Sequence, residues 1–256
     1  MDHFTSRVIG NKAIAESYYE LSIHWHSGQS PLPGQFITLR GGTGTAPLLR
    51  RPFALSSYDE STKVAKIIYQ KRGDATSVLS GKQAEEELDI IGPLGNSFPM
   101  PEDGQQPVLV AGGIGLGPIL YLAKTMEARG LSPQFVFGAR NRYLIPTKIL
   151  GPVSHTIDLH LCTDDGSLGF YGTSVDYIRS RCPKNPVFYT CGPHPMMKAV
   201  HELSVEKSAG CWVSMEQVMA CGVGACMGCA IETRGDRPFA RVCADGPIFK
   251  STLLVW

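Results

Sequence analysis

Cys221, Cys226 and Cys229 fall within nine residues in the pattern C-x4-C-x2-C, and Cys243 follows after thirteen intervening positions. This is the plant-type spacing for a [2Fe–2S] cluster. Four thiolates must converge on two irons, which curls the chain between them into one tight loop. Gly222, Gly224 and Gly228 permit that approach and let backbone N–H groups aim at the sulfurs, moderating the cluster's negative charge. A structural zinc site also takes four thiolates, but usually from two paired C-x2-C knuckles, and only one such pair is present. The spacing favours iron. A stretch as short as 211–256 cannot fold on apolar burial alone, and a bound metal supplies the missing constraint.

The other cysteines read differently. Four of the eight lie in the last 36 residues, the clustering of a metal site rather than of a disulfide framework. Cys162, Cys182 and Cys211 read as buried small residues. A formal net charge of +1, with both signs mixed along the chain, gives no footprint for nucleic acid. The start, Met1 to Arg7, lacks a basic region followed by an apolar stretch, and no apolar run approaches the roughly 18 residues of a membrane span. The expectation is a cytoplasmic protein with neither a membrane nor a nucleic-acid partner.

Ahead of the cysteines the chain changes texture once. Short β-rich stretches at 18–25, 35–40, 51–57, 64–70 and 87–91 alternate with turn signals such as Pro33-Gly34, Gly41-Gly42 and Gly92-Pro93. That spacing predicts an antiparallel β-barrel over residues 1–100. After a linker at 100–104, apolar strands at 108–111, 134–137, 157–162 and 187–190 alternate with helical periodicity. Ile119, Leu120, Ala123 and Met126 lie on one helical face before a stop at Gly130. Residues 101–210 are therefore expected to form a parallel α/β domain, and 211–256 a small C-terminal module. The chain is multi-domain on this reading.

Within the α/β region, Gly112, Gly113, Gly115 and Gly117 join a buried strand to a helix, where a pyrophosphate can approach free N–H groups. The acidic residue that an ordinary dehydrogenase carries about 20 positions later is missing; the next strand leads into Gly138-Ala139-Arg140. A purely structural glycine turn stays open on this loop alone. Cys191, Gly192 and Pro193 close a later strand, at the end where parallel sheets bind ligands. Cys191 reads equally well as a small residue ending a strand.

Arg51-Pro52-Phe53-Ala54 would by itself be a barrel strand with a surface arginine. In context, the chain resembles the ferredoxin-NADP reductase superfamily: an R-P-x-[SA] strand, a G-G-x-G-x-[GA]-P loop and a late C-G-P. Along its whole length it is similar to electron-transfer subunits of class 1B dihydroorotate dehydrogenases. The marks are Pro33-Gly34-Gln35-Phe36, Gly92-Pro93-Leu94-Gly95, Thr163-Asp164-Asp165-Gly166-Ser167, Met219-Ala220-Cys221 and Asp245-Gly246-Pro247-Ile248-Phe249.

The resemblance implies FAD against Arg51, Pro52, Phe53 and Ala54, with Arg51 meeting the pyrophosphate. It places Ile68, Tyr69 and Gln70 along the flavin wall and Ala75-Thr76 at a step where the family usually has Gly-Thr. It sets Asp164 and Asp165 near NADH, although an acidic turn before Gly166 explains them too. It implies a partner catalytic subunit holding FMN, in a heterotetramer of two of each. NADH delivers two electrons together while a cluster accepts one, so a flavin must stand between them. No Ser/His/Asp set appears, and no catalytic acid–base residue is expected. The alternative is a flavin/iron–sulfur subunit of another NAD(P)H-linked complex, of the ferredoxin:NADP oxidoreductase, sulfide dehydrogenase or hydrogenase type.

Overall fold

The computed structural model describes residues 1–40, 42 and 47–256, so the Gly41-Gly42 turn signal falls partly outside the described residues. Six antiparallel strands close into a barrel: β1 (Asp2–Ala15), β2 (Tyr18–His24), β3 (Phe36–Arg40), β4 (Arg51–Asp59), β5 (Val64–Gln70) and β6 (Glu87–Leu94). Around it they run β1-β2-β5-β4-β3-β6, with β6 pairing back onto β1. Alternation explains the interior. Ile37 and Leu39, Ile67 and Tyr69, and Leu88 and Ile90 sit two apart, so each pair faces inward into one apolar cluster. Tyr69 keeps its hydroxyl satisfied inside the barrel by donating to Asn11 Oδ1 at 2.9 Å. A short helix, α1 (Asp74–Ser80), leads into β6.

The second half is a seven-stranded sheet. Its elements are β7 (Gln106–Gly112), α2 (Leu116–Ala128), β8 (Gln134–Ala139), α3 (Thr147–Val153), β9 (Asp158–Thr163), β10 (Phe170–Tyr171), α4 (Ser174–Arg181), β11 (Pro186–Cys191), α5 (His194–Glu206) and β12 (Gly210–Ser214). After β12 come a two-stranded ribbon, β13 (Ala230–Glu232) and β14 (Phe239–Arg241), and finally β15 (Ile248–Lys250). The sheet order is β10-β9-β8-β7-β11-β12-β15, parallel except for β15. The order reverses between β7 and β11, which makes the carboxyl ends of those two strands the switch point where such sheets bind ligands.

Helix α2 is buried nearly all round because it has the sheet on one side and the barrel on the other. A Cβ on Gly117 would stand 3.7 Å from Ser56 and 3.9 Å from Ile68, ordinary contact with β4 and β5. Tyr121 donates across the same seam to the carbonyl of Pro31 at 2.6 Å.

Residues 211–214 and 248–250, grouped above with the C-terminal module, are strands of the sheet. The cysteine-rich chain between them is an excursion that leaves the sheet edge and returns to it. Asn96, just past β6, ties that return to the barrel. Its side chain donates to the carbonyl of Ile248 at 2.9 Å and accepts from the Ile248 N–H at 2.8 Å, while its own N–H reaches the Gly246 carbonyl at 2.7 Å. Gly95 faces the same turn, where a Cβ would meet the Gly246 carbonyl at 2.8 Å. These contacts give the Gly-Pro-Leu-Gly and Asp-Gly-Pro-Ile-Phe motifs one shared task. Asn96→Ala strands two polar groups of a residue that is 3% exposed, and is expected to cost about 2–3 kcal/mol. Thermal unfolding of the two proteins side by side checks it.

Candidate functional site

The cysteine loop is organised by backbone N–H groups. Val223 and Cys226 each donate to Cys221 Sγ at 3.4 Å, Gly228 donates to Cys226 Sγ at 3.4 Å, Gly224 to Cys243 Sγ at 3.1 Å, and Cys243 to Cys229 Sγ at 3.4 Å. Each of the four sulfurs thus has at least one N–H aimed at it. Gly222 and Gly224 make this possible at φ of +70° and +83°, a left-handed backbone that side chains resist. Arg241 braces the loop from behind, donating to the Gly224 carbonyl at 2.8 Å while its fork grips Asp245 at 3.0 and 3.1 Å. That arginine holds the Asp245 carboxyl down at about 2.

The sulfurs are not alike. Burial works against ionisation of Cys221, but the N–H groups of Val223 and Cys226 prevail and bring its thiol down to about 6. Burial and then the neighbouring Cys229 sulfur, 3.2 Å away, push Cys243 up to about 12. Sulfurs this crowded ionise together only with positive charge between them. Two irons would supply it, and the N–H cradle fits a cluster that carries net negative charge once ligated. Among the described residues no three His, Cys, Asp or Glu side chains converge as on a single ion. A two-iron cluster takes its thiolates two to an iron.

The loop rests on the barrel. A Cβ at Gly222 would come within 2.7 Å of Thr38 Cγ2 on β3. Thr38 in turn pairs with Pro52 on β4. Beyond that strand opens a cleft lined by Pro52, Phe53 and Ala54 from β4 and by Ile68, Tyr69 and Gln70 from β5. Its far wall carries Cys191 and Met219, the latter only two residues before Cys221. The sequence-predicted flavin wall is thus brought together on one surface, beside the cysteine loop.

A second cleft of about 1200 Å³ opens at the switch point, above the roughly 300–1,000 Å³ of ordinary small-molecule pockets and large enough for a dinucleotide. Gly112, Gly113, Asp164, Gly192 and Pro193 line it. The backbones of Gly112 and Gly192 approach so closely that a Cβ on Gly192 would meet the Gly112 carbonyl at 2.7 Å. The floor is therefore bare main chain, which a pyrophosphate can approach.

Other predicted residues stand elsewhere. Arg51 turns its guanidinium onto the Leu49 carbonyl at 2.8 Å and lines neither cleft. Ala75 and Thr76 lie in α1, where Thr76 Oγ1 accepts from the N–H groups of Arg72 and Gly73 at 2.9 and 3.2 Å. Gly115, just before α2, packs against the end of β11, Gly117 in α2 packs against β4 and β5, and Asp165 is engaged by the Ser167 N–H at 2.9 Å.

Residues 216–255 match the family model described as the iron-sulfur cluster binding domain of dihydroorotate dehydrogenase B. Over 248 residues, 95% of each chain, the protein is 38% identical to a curated relative from Caldanaerobacter subterraneus subsp. tengcongensis named dihydroorotate dehydrogenase B (NAD(+)), electron transfer subunit. A relative of the same name from Lysinibacillus sphaericus is 35% identical over 251 residues, again 95% of each chain. The chain belongs to the dihydroorotate dehydrogenase B electron transfer subunit family. Among solved structures it is similar to an NADH-dependent reduced ferredoxin-NADP oxidoreductase, with a TM-score of 0.87 and 27% identity over 98% of this chain and 90% of that one. It shares its fold, at a TM-score of 0.68 and 14% identity, with a ferredoxin NADP+ reductase from Neisseria gonorrhoeae solved with FAD and NADP; that match covers 81% of this chain and 92% of the other.

For a member of the dihydroorotate dehydrogenase B electron transfer family, residues missed by sequence reasoning matter most where the clefts meet. Arg72, Glu216 and Gln217 line both clefts, Arg140 and Tyr18 the second. Arg140 follows Gly138-Ala139 at the end of β8, and the others sit in no glycine or cysteine motif. Arg72 follows the flavin-wall strand by two residues, which is the one local signal that could have flagged it. No helix among the described residues is long and apolar enough to cross a membrane.

Proposed function

We propose that this chain is the electron-transfer subunit of an NAD-linked dihydroorotate dehydrogenase, passing electrons between NAD(H) and the FMN of a catalytic partner in a heterotetramer of two of each. The observation that carries this reading is the contact between cysteine loop and barrel. Met219 lines the barrel cleft two residues from Cys221, and Gly222 presses on Thr38, the strand partner of Pro52. A two-electron site and a one-electron site so close together suit a converter.

Pro52 to Ala54 and Ile68 to Gln70 form the surface proposed to receive the flavin. Arg51 and Thr76 would shape the segments flanking it, through the Leu49 carbonyl and the N–H groups of Arg72 and Gly73. Gly112, Gly113, Gly192 and Pro193 offer the main-chain floor proposed for the NADH pyrophosphate, with Asp164 at its side. Cys221, Cys226, Cys229 and Cys243 are the proposed iron ligands. Bound FAD supplies hydride acceptance on one side and single-electron release on the other. Tyr69 and Phe53, packed edge to face at 5.9 Å, keep the barrel side of the cleft rigid and apolar, which excludes water from the flavin.

The identity of 33–38% to curated relatives of this one name favours the dihydroorotate reading over other NAD(P)H-linked complexes. Co-expression with a dihydroorotate dehydrogenase catalytic subunit tests it. The expected result is a stable complex with FAD, FMN and iron, in which orotate drives NADH oxidation. A chain that forms no such complex, or a complex whose NADH oxidation ignores orotate, contradicts it.

A further inference from the structure

The two clefts share a wall made by Gln70, Arg72, Ile114, Met215, Glu216 and Gln217. Among the described residues, Glu216 is the one carboxylate in that wall. It lies two residues past β12 and five before Cys221, in the segment that runs to the cysteine loop, and stands between the two clefts. The groups acting on it come from three elements: Arg72 past the end of β5, Cys191 at the end of β11 and Tyr18 at the start of β2. Burial pushes the Cys191 thiol and the Tyr18 hydroxyl up, so both stay neutral near pH 7. That leaves Arg72 as the cation facing Glu216.

We propose that Glu216 is the proton acceptor of the flavin–nicotinamide junction, taking from the reduced flavin the proton that a one-electron cluster cannot accept, with the Arg72 cation in the same wall. This rests on the FAD and cluster sites proposed above. The balance requires such a group. In the first half, a C–H bond of the nicotinamide breaks and its hydrogen and both electrons pass to a flavin ring nitrogen as an N–H bond. In the second, the electrons leave one at a time for the cluster, which changes charge but binds no proton. The N–H bond therefore breaks without its proton following, and an O–H bond forms on the Glu216 carboxylate. Water in the open cleft then takes the proton and restores the carboxylate. Glu216 keeps an exposed flank toward that water, yet protein atoms crowd its carboxyl enough to push its affinity for protons up, with Arg72 pulling the other way. A carboxylate with raised proton affinity is a better acceptor near neutral pH than an ordinary one.

The test uses the FAD- and cluster-loaded complex with Glu216→Gln and Glu216→Asp. Spectroelectrochemistry of the flavin against pH is expected to show an inflection where Glu216 titrates, absent in Glu216→Gln and displaced in Glu216→Asp. Reoxidation of pre-reduced flavin through the cluster is expected to slow at least about 100-fold in Glu216→Gln, far more than its reduction by NADH, with partial rescue by small carboxylic acids. An inflection that persists in Glu216→Gln, or equal slowing of both half-reactions, overturns the proposal. If Glu216→Gln does not retain FAD, Glu216→Asp decides, and an undisplaced inflection overturns it. Failure of NADH to bleach the flavin of the unsubstituted complex would instead sink the functional reading, and this inference with it.

Discussion

Cys226→Ser is expected to strip the iron–sulfur absorbance from the protein and to abolish electron delivery to the partner, while NADH still bleaches the flavin. The reason lies in where Cys226 sits. It is exposed, and its sulfur accepts only the Gly228 N–H, so a serine oxygen disturbs no packing. What serine cannot do is ionise near neutral pH as a thiolate does. Loss of a first ligand should exceed the roughly 10–100-fold penalty typical of losing a supporting contact around a metal. The same change at Cys229, which is 2% exposed inside the core, would mix ligand loss with folding damage and read less cleanly. Visible spectra, iron content and stopped-flow bleaching by NADH separate the outcomes. Unchanged absorbance and unchanged electron transfer would contradict the ligand assignment.

Gly115→Ala is expected to be among the most damaging small substitutions outside the cysteine loop. Its φ of −61° suits any residue, so the problem is space alone. A Cβ there would lie 2.1 Å from the Cys191 carbonyl oxygen and 2.6 Å from the Gly192 nitrogen, both main-chain atoms that have no rotamer to change. Either the start of α2 retreats from β11 or the end of β11 bends, and both movements open the floor between the two clefts. Overpacking of this kind costs typically 1–3 kcal/mol and more where backbone must move, so about 3 kcal/mol is expected, together with weakened FAD and NADH binding. Denaturant unfolding and flavin retention on gel filtration measure the two effects. A variant of full stability with normal flavin content would show that the contact is soft.

How far the sequence reveals this fold depends on how local each signal is. The strands at 64–70 and 51–57 show plainly, since alternation within β5 and β4 points Ile67, Tyr69 and Leu55 into the barrel without help from elsewhere. Strand β1 is much less visible. Across its fourteen residues only Ser6 and Val8 are buried, so a long stretch with few inward apolar residues carries little periodicity even though β2 and β6 pair with it on both sides. The membership of β12 and β15 in the nucleotide sheet is also hidden. β15 has three residues, and its place depends on pairing Trp212 to Ser214 with Ile248 to Lys250 across more than thirty intervening positions.

The candidate site divides in the same way. The gathering of four sulfurs is legible because three lie within nine residues and glycines mark where their loop must turn. Gly112 and Gly192 are legible as strand-end glycines, but their mutual approach is not, since it belongs to β7 and β11 lying side by side. Glu216 leaves no local trace, Arg72 only its place two residues past β5, and Met219 only its place beside the cysteine motif. Each comes from a connecting segment, and they share a wall only because the cysteine excursion folds back over the barrel. Arg51 shows the reverse: a motif position whose guanidinium is used by the main chain of its own segment.

Electrons are proposed to pass within this one chain from NADH through FAD to a [2Fe–2S] cluster. An anaerobic NADH titration of the purified complex, followed at once by flavin absorbance and low-temperature electron paramagnetic resonance, tests it most directly. A reduced [2Fe–2S] signal is expected to grow as the flavin bleaches, and Cys226→Ser is expected to lose the signal but not the bleaching. A flavin that bleaches fully while no cluster signal appears in the unsubstituted protein, or a protein that holds zinc in place of iron, would contradict it.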